Sequence, residues 1–209
     1  MSRYRSLLAV DPSLTCSGWA LFSIPDGTIS AVGKIRSEPP SLSMGVRLRS
    51  LQSRIETVFN TLRLGPDDVL VCEAPTTVKD PHNALKVENV RSIFETVARA
   101  RAVSVPGRVN PRSVQFEIMG LHGKQLERKE VKAMAVRTAE FLYSPELVRL
   151  GVEVADLKRH QDIVDALLVG RLALSRIKTA ADSTLPLESV FQVVRQQRRV
   201  SWRVKGSAV

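Results

Sequence analysis

Four carboxylates in this chain stand at positions suited to metal-assisted chemistry. Asp11 closes the apolar run SLLAVD and Glu73 closes DVLVCE. Each run reads as a buried strand, and mostly parallel sheets present their functional groups at the C-terminal strand ends. Asp162 and Asp165 open the segment HQDIVDALLVGRLAL, and their spacing puts both on one face of a helix. Ile163, Val164, Ala166, Leu167, Leu168, Val169, Leu172 and Leu174 leave that helix little solvent face. It must therefore pack against a sheet and carry its acids inward. Each acid has an ordinary explanation by itself, as an N-terminal cap of a helix or as turn chemistry before proline. Four together are another matter, because carboxylates held within several ångströms repel one another unless divalent cations neutralise them. An all-oxygen ligand set suits Mg²⁺, with Mn²⁺ able to substitute. Two such ions about 3.5 to 4 Å apart promote hydrolysis of a phosphodiester.

The charge balance points to the kind of phosphodiester. Lys and Arg outnumber Asp and Glu by 31 to 21, a net charge of +10, and the sequence pI is about 10.2. A polyanionic partner, above all nucleic acid, fits this better than a neutral metabolite. With 209 residues, 44% of them hydrophobic, the chain can build one domain with a sizeable core. No stretch approaches the roughly 20 apolar residues of a membrane span, and the apolar run near the N-terminus stops at Asp11, too early for a signal peptide. Cys16 and Cys72 read as free thiols, and His82, His122 and His160 lack zinc-type spacing. A reducing, cytoplasmic location is the expectation.

The elements that must position the acids follow from periodicity. Strands are expected over 6–11, 18–24 and 29–35, with PDGT at 25–28 as the turn of a hairpin. Helical spacing runs over 44–62, a second acidic strand over 68–75, a helix over 83–102 and a further strand over 102–110. A short helix at PRSVQFEIMG, a basic loop at LHGKQLER and helices over 129–143 and 160–177 complete the order. Helices between the later strands favour parallel crossovers, which predicts an α/β mixed sheet flanked by helices. Residues 1–177 are read as the domain, and 178–209, with TAADSTLPLES as linker, as a basic C-terminal tail.

In order along the chain, LLAVDPSLTCSGWALF, VLVCEAP, NALKVENVRSIFETVARA, VNPRSVQFEIMG and DIVDALLVGRLAL resemble the RuvC-type Holliday junction resolvases. The resemblance spans roughly residues 6 to 175. Its most specific parts are the strand ending in Asp-Pro-Ser with a downstream glycine and the terminal D-x-x-D-A-L helix. It implies a ribonuclease H-like, five-stranded mixed sheet flanked by helices. It further implies a Mg²⁺-dependent homodimer that binds four-way DNA junctions and makes paired symmetric nicks, leaving 5′-phosphate and 3′-hydroxyl ends, with branch-migration or replication machinery as a possible partner. Carried over by residue, Asp11, Glu73, Asp162 and Asp165 match the family's catalytic and metal-binding acids. Two positions depart from it: Thr76 stands where relatives often have an aromatic residue, and Gln115 where they often have lysine.

Basic residues supply candidate DNA contacts. Lys124, Arg128 and Lys129 in the loop LHGKQLERKEVK are placed to neutralise phosphate near the scissile bond, with Arg128 the nearest match to a family lysine, and Arg112 lies in the PRSV block. In the tail, Arg198 and Arg199 accompany Trp202, a combination that pairs phosphate contact with base stacking. Other readings remain open. An actin-like ATPase or sugar kinase shares the fold but needs glycine-rich phosphate loops, and HGKQ does not make one. A junction-binding protein without catalysis would gain nothing from a repulsive acid cluster beside DNA. A nuclease acting more broadly on flaps and forks is the nearest alternative. On any of the DNA readings binding must weaken steeply with salt, since about 0.9 counterion is released per phosphate neutralised; a flat salt titration of branched-DNA affinity would exclude phosphate contact as its source.

Overall fold

A computed structural model of the chain describes residues 3–75, 80–122 and 126–191. Its first three strands, β1 (Ser6–Asp11), β2 (Cys16–Ser23) and β3 (Ile29–Arg36), form an antiparallel meander. The turn between β2 and β3 closes where Asp26 accepts from the Thr28 backbone and hydroxyl and Gly27 takes φ 74°, a left-handed conformation that glycine adopts without steric cost. Helix α1 (Met44–Thr61) follows, then β4 (Asp68–Glu73), helix α2 (Pro81–Ala100) and the two-residue β5 (Arg108–Val109). Next come the single turn α3 (Pro111–Ser113), a π-helix at Val114–Ile118, helix α4 (Arg128–Arg149), a 3₁₀ turn at Val154–Arg159, helix α5 (Gln161–Asp182) and short helix α6 (Leu187–Phe191). The sheet order is β3-β2-β1-β4-β5, with β1–β4 and β4–β5 parallel. This is the mixed five-stranded sheet that the sequence led us to expect.

Two cores sandwich the sheet. Strand side chains alternate between faces, so Leu7, Ala9, Val69 and Val71 point one way, onto α5 and α4 through Val164, Leu167, Leu168 and Ala139. Leu8, Val10, Leu70 and Cys72 point the other way, onto α1 and α2 through Leu51, Ile55, Phe59, Val90 and Phe94. The same alternation puts Asp11 and Glu73 on the α5 face. Good caps hold the α1–α2 layer in register: Ser43 accepts from the Val46 N–H, and Asp80 accepts from the His82 and Asn83 N–H groups with Pro81 at the first turn, where its missing donor costs nothing.

Three expectations change. The strand expected over 102–110 is only Arg108–Val109 plus an isolated bridge from Ser104 to Val69, because Pro106 and Gly107 interrupt the ladder. The helix expected to end at residue 143 continues through Pro145 to Arg149. Pro145 is exposed while Tyr143 and Leu147 are buried, so the backbone bond lost to proline lies on the solvent side. The segment expected as linker instead contains the last turn of α5 and the start of α6. Phe191 anchors it: the ring is buried, lies under the Arg176 guanidinium, and its Cβ sits where a side chain on Gly107 would be, 2.6 Å away. Among the described residues no helix is long and apolar enough to cross a membrane.

The approach of α5 to the sheet depends on two glycines. A Cβ on Gly170 would lie 2.0 Å from the Phe22 ring, and a Cβ on Gly18 would lie 1.8 Å from the Asp162 carbonyl oxygen. At Gly18 the obstacle is backbone, so the helix itself would have to move. We expect Gly18→Ala to cost about 1–3 kcal/mol in urea denaturation, whereas Gly45→Ala, which meets nothing within 4 Å, should be neutral or stabilising by up to about 1 kcal/mol. Equal stability for the two variants would show that α5 does not rest on Gly18.

Candidate active site

Strand register assembles the site. Val10 pairs with Cys72 in the parallel β1–β4 ladder, which sets the next residues, Asp11 and Glu73, side by side at the strand ends. Across the antiparallel ladder Asp11 pairs with Gly18, and Gly18 pairs in turn with Lys34 on β3. A row Glu73–Asp11–Gly18–Lys34 therefore crosses the sheet on the α5 face. The bare Gly18 in that row lets the first turn of α5 descend until the Asp162 carbonyl meets it. Asp162 and Asp165 thereby arrive over the strand-end acids.

The electrostatics record how close the four come. Burial, followed by repulsion from Glu73, Asp165 and Asp162, holds the Asp11 carboxyl well above the usual carboxylate range. Burial and then Asp165 push Glu73 up to about 7, against a hydrogen bond with Asp11 and the nearby Arg91 guanidinium, which pull it down. Burial also raises Asp165, while its hydrogen bond from Gln161 and the charges of Lys132 and Arg128 oppose the rise. Carboxylates that raise one another in this way form an all-oxygen donor set that suits a hard cation. Among the described residues, no group of three or more His, Cys, Asp or Glu side chains is posed to hold a metal ion.

Other side chains fix the acids in place. The buried Arg91 donates Nε–H to the Glu73 carbonyl oxygen at 2.7 Å and pairs with Glu88, pinning the end of β4 from the α2 side. Gln161 donates to Asp165 Oδ1 at 2.9 Å. Lys34 Nζ lies 3.3 Å from Asp162 Oδ2. On the Asp165 side a cavity of about 220 Å³ opens, with Glu73 and Asp165 in its wall, Val114, Met119, Ala135 and Leu168 as apolar surface, and Gln115, Arg128 and Lys132 around it.

The structure brings the four sequence-predicted acids together and sets Arg128 beside them. Arg112 and Lys129 are exposed and do not line the cavity. Lys124, Arg198, Arg199 and Trp202, like Thr76, lie outside the described residues. His160 caps α5 through its backbone, accepting from the Ile163 and Val164 N–H groups, with no capping bond from its side chain. Sequence reasoning missed Lys34, Arg91, Gln161 and Lys132. Two of them left a trace: Lys132 is one helical turn beyond Arg128, and Arg91 interrupts the buried face of Val90, Phe94 and Val97. The role of Lys34 depends on the β2–β3 register and had no local signal.

Among solved structures the chain is similar to Thermus thermophilus RuvC, at 17% identity and a TM-score of 0.61 over 86% of this chain and 97% of that one. It is also similar to T. thermophilus RuvC in complex with a Holliday junction substrate, at 17% identity and a TM-score of 0.59 over 87% and 98% of the two chains. The likeness establishes the fold, ribonuclease H-like in the arrangement of RuvC. No family model matches the sequence, and no curated protein matches it.

The raised acids carry a stability consequence. A carboxyl whose pKa is higher folded than unfolded stabilises the fold below its unfolded value and loses that contribution as pH rises through its folded value. For Glu73 the loss is complete above about 7. In metal-free protein we expect Glu73→Gln to melt higher than wild type above pH 7 and the difference to vanish in acid; thermal melts in EDTA at several pH values check it, and wild type melting higher throughout would refute the mutual repulsion.

Proposed function

We propose that this chain, which has the RuvC fold, is a structure-selective DNA endonuclease that resolves four-way junctions by paired, symmetric nicks. The observation that carries the proposal is the convergence of Asp11, Glu73, Asp162 and Asp165 from three separate elements at the carboxyl ends of β1 and β4. A structural role gains nothing from such repulsion, whereas a catalytic site for a phosphodiester needs it. Support for branched DNA comes from the net charge of +10 and from the RuvC neighbour, whose structure holds a Holliday junction substrate.

Asp11, Glu73, Asp162 and Asp165 would hold Mg²⁺, or Mn²⁺ in its place, and bound divalent ions supply charge neutralisation at the scissile phosphate and a ready nucleophile from water. The chain's own residues do the rest. Asp11 and Glu73, both raised by burial and neighbouring acids, would be the strand-end pair whose charge such an ion neutralises. Gln161 fixes the Asp165 carboxylate, and Arg91 keeps the Glu73 backbone from drifting away from β1. Arg128 and Lys132 stand at the cavity beside Asp165, where they bind the substrate's phosphate oxygens as charge develops there. Paired nicks on opposite strands require two copies of this site, so the active form is a homodimer. A branch-migration motor or replication machinery is a fitting partner for such an enzyme.

The test is cleavage of a labelled immobile four-way junction beside a duplex and a flap of the same sequence, with Mg²⁺ or EDTA. We expect paired nicks confined to the junction, abolished by EDTA and by Asp11→Asn, while Asp11→Asn binds the junction as tightly as wild type or more so, having lost a charge that repels phosphate. Lys132→Ala should slow cleavage on the order of tenfold or more. Equal cutting of the flap would make the protein a broader branched-DNA nuclease, and wild-type nicking by Asp11→Asn would overturn the acid assignment.

A further inference from the structure

Lys34 takes no part in the DNA-binding or metal-binding roles assigned to the site. Its side chain is only 15% exposed and its ammonium reaches Asp162 Oδ2 at 3.3 Å and the Arg159 carbonyl at 3.4 Å. It is thus held between the carboxylate and the backbone that leads into α5. It sits on β3, the edge strand of the sheet, directly across from Gly18. Arg128 and Lys132 flank the opposite end of the cluster, beside Asp165. The acids therefore have unequal surroundings: Asp165 faces an open cavity, and Asp162 is already paired with a resident cation.

From this asymmetry we propose that Lys34 is a positioning residue that holds Asp162 and lowers the affinity of the Asp162 end of the cluster for divalent cations, because a cation that takes this carboxylate as ligand must displace the ammonium. The proposal rests on the reading of the four acids as a divalent-cation site and goes beyond it by making the two ends of that site unequal. The physical argument is one of competition. An ammonium is a compact, strongly hydrated charge on a flexible stem, able to leave a carboxylate without disturbing the backbone. While bound, it cancels much of the negative charge that would attract a second ion. The ion pair also ties β3 to the entry of α5, so Asp162 keeps its direction while the ion is absent. Loading is accordingly stepwise, with the Asp165 end filling at lower cation concentration than the Asp162 end.

Cation binding can be read without DNA or turnover, by Mn²⁺ titration of metal-free protein followed by electron paramagnetic resonance. We expect wild type to show a tighter and a weaker class of site and Asp162→Asn to lose only the weaker one. Lys34→Met should tighten the weaker class by about fivefold, the effect of removing one partly exposed ion pair, and Lys34→Arg should restore the wild-type value. Lys34→Gln serves as a second charge-free variant, with circular dichroism confirming that each folds. In the Asp162→Asn background Lys34→Met should change nothing, which separates competition at this carboxylate from a general change in charge. Unchanged or weaker Mn²⁺ binding in both Lys34→Met and Lys34→Gln, or an equal effect in the Asp162→Asn background, overturns the proposal while leaving the nuclease reading intact. Wild type that binds no Mn²⁺ at all overturns the cation-site reading itself.

Discussion

The contact on which the site depends is between backbone atoms: the Asp162 carbonyl rests against Gly18, where a single methyl group would stand 1.8 Å from its oxygen. Helices normally lie on sheets with side chains as spacers. Here the spacer is removed at one point so that the first turn of α5 can descend to the strand ends. The position of that point is set by register, since Gly18 pairs with Asp11. One missing Cβ therefore determines how near two helical carboxylates come to two strand carboxylates. A glycine at Cys16 or Ala20 would lower the helix elsewhere along β2 and leave the acids apart.

Crowding four acids is unfavourable, and the structure offsets the cost in two ways. The first is burial: Val164, Leu167, Leu168, Leu172 and Ile177 of α5 are nearly or fully buried in the core, and each such side chain contributes roughly 1.5 to 3 kcal/mol. That apolar load presses the helix onto the sheet whatever its first turn carries. The second is a ring of donors. Arg91 acts from beneath β4 and is itself held in a network with Glu88, Arg108 and Glu95. Gln161 and Lys34 bond the helical pair. The remaining imbalance falls on Asp11 and Glu73, whose carboxyls are held above the usual carboxylate range by burial and neighbouring acids.

Much of this was legible in the sequence, for reasons that differ by residue. Asp11 and Glu73 announced themselves by ending apolar runs, and Asp162 and Asp165 by opening a helix with almost no polar face. Those are local patterns, and local patterns survive without knowledge of the fold. The common face of the four acids is not local: it needs the parallel pairing of β1 with β4 and the alternation of side chains along both. Lys34 needs two successive registers and the glycine between them, and nothing near it in sequence gives that away. Elements were misjudged where long-range packing overrode a local signal. The helix expected to end at residue 143 runs on past Pro145, and buried Tyr143 and Leu147 on either side keep α4 continuous. Polar, small residues at 179–189 suggested a linker, yet Phe191 beyond them finds a seat against Gly107.

The departures from the resolvase pattern acquire a physical setting as well. Gln115 takes a place where relatives often carry lysine, and it lines the cavity beside Asp165. The cavity does not lack a second cation for that reason, because Lys132 faces the same carboxylate from α4, next to Arg128. At the other end of the cluster Lys34 is largely covered and already paired. Exposed positive charge thus lies on the Arg128–Lys132 side of the cluster and a largely covered ion pair on the other.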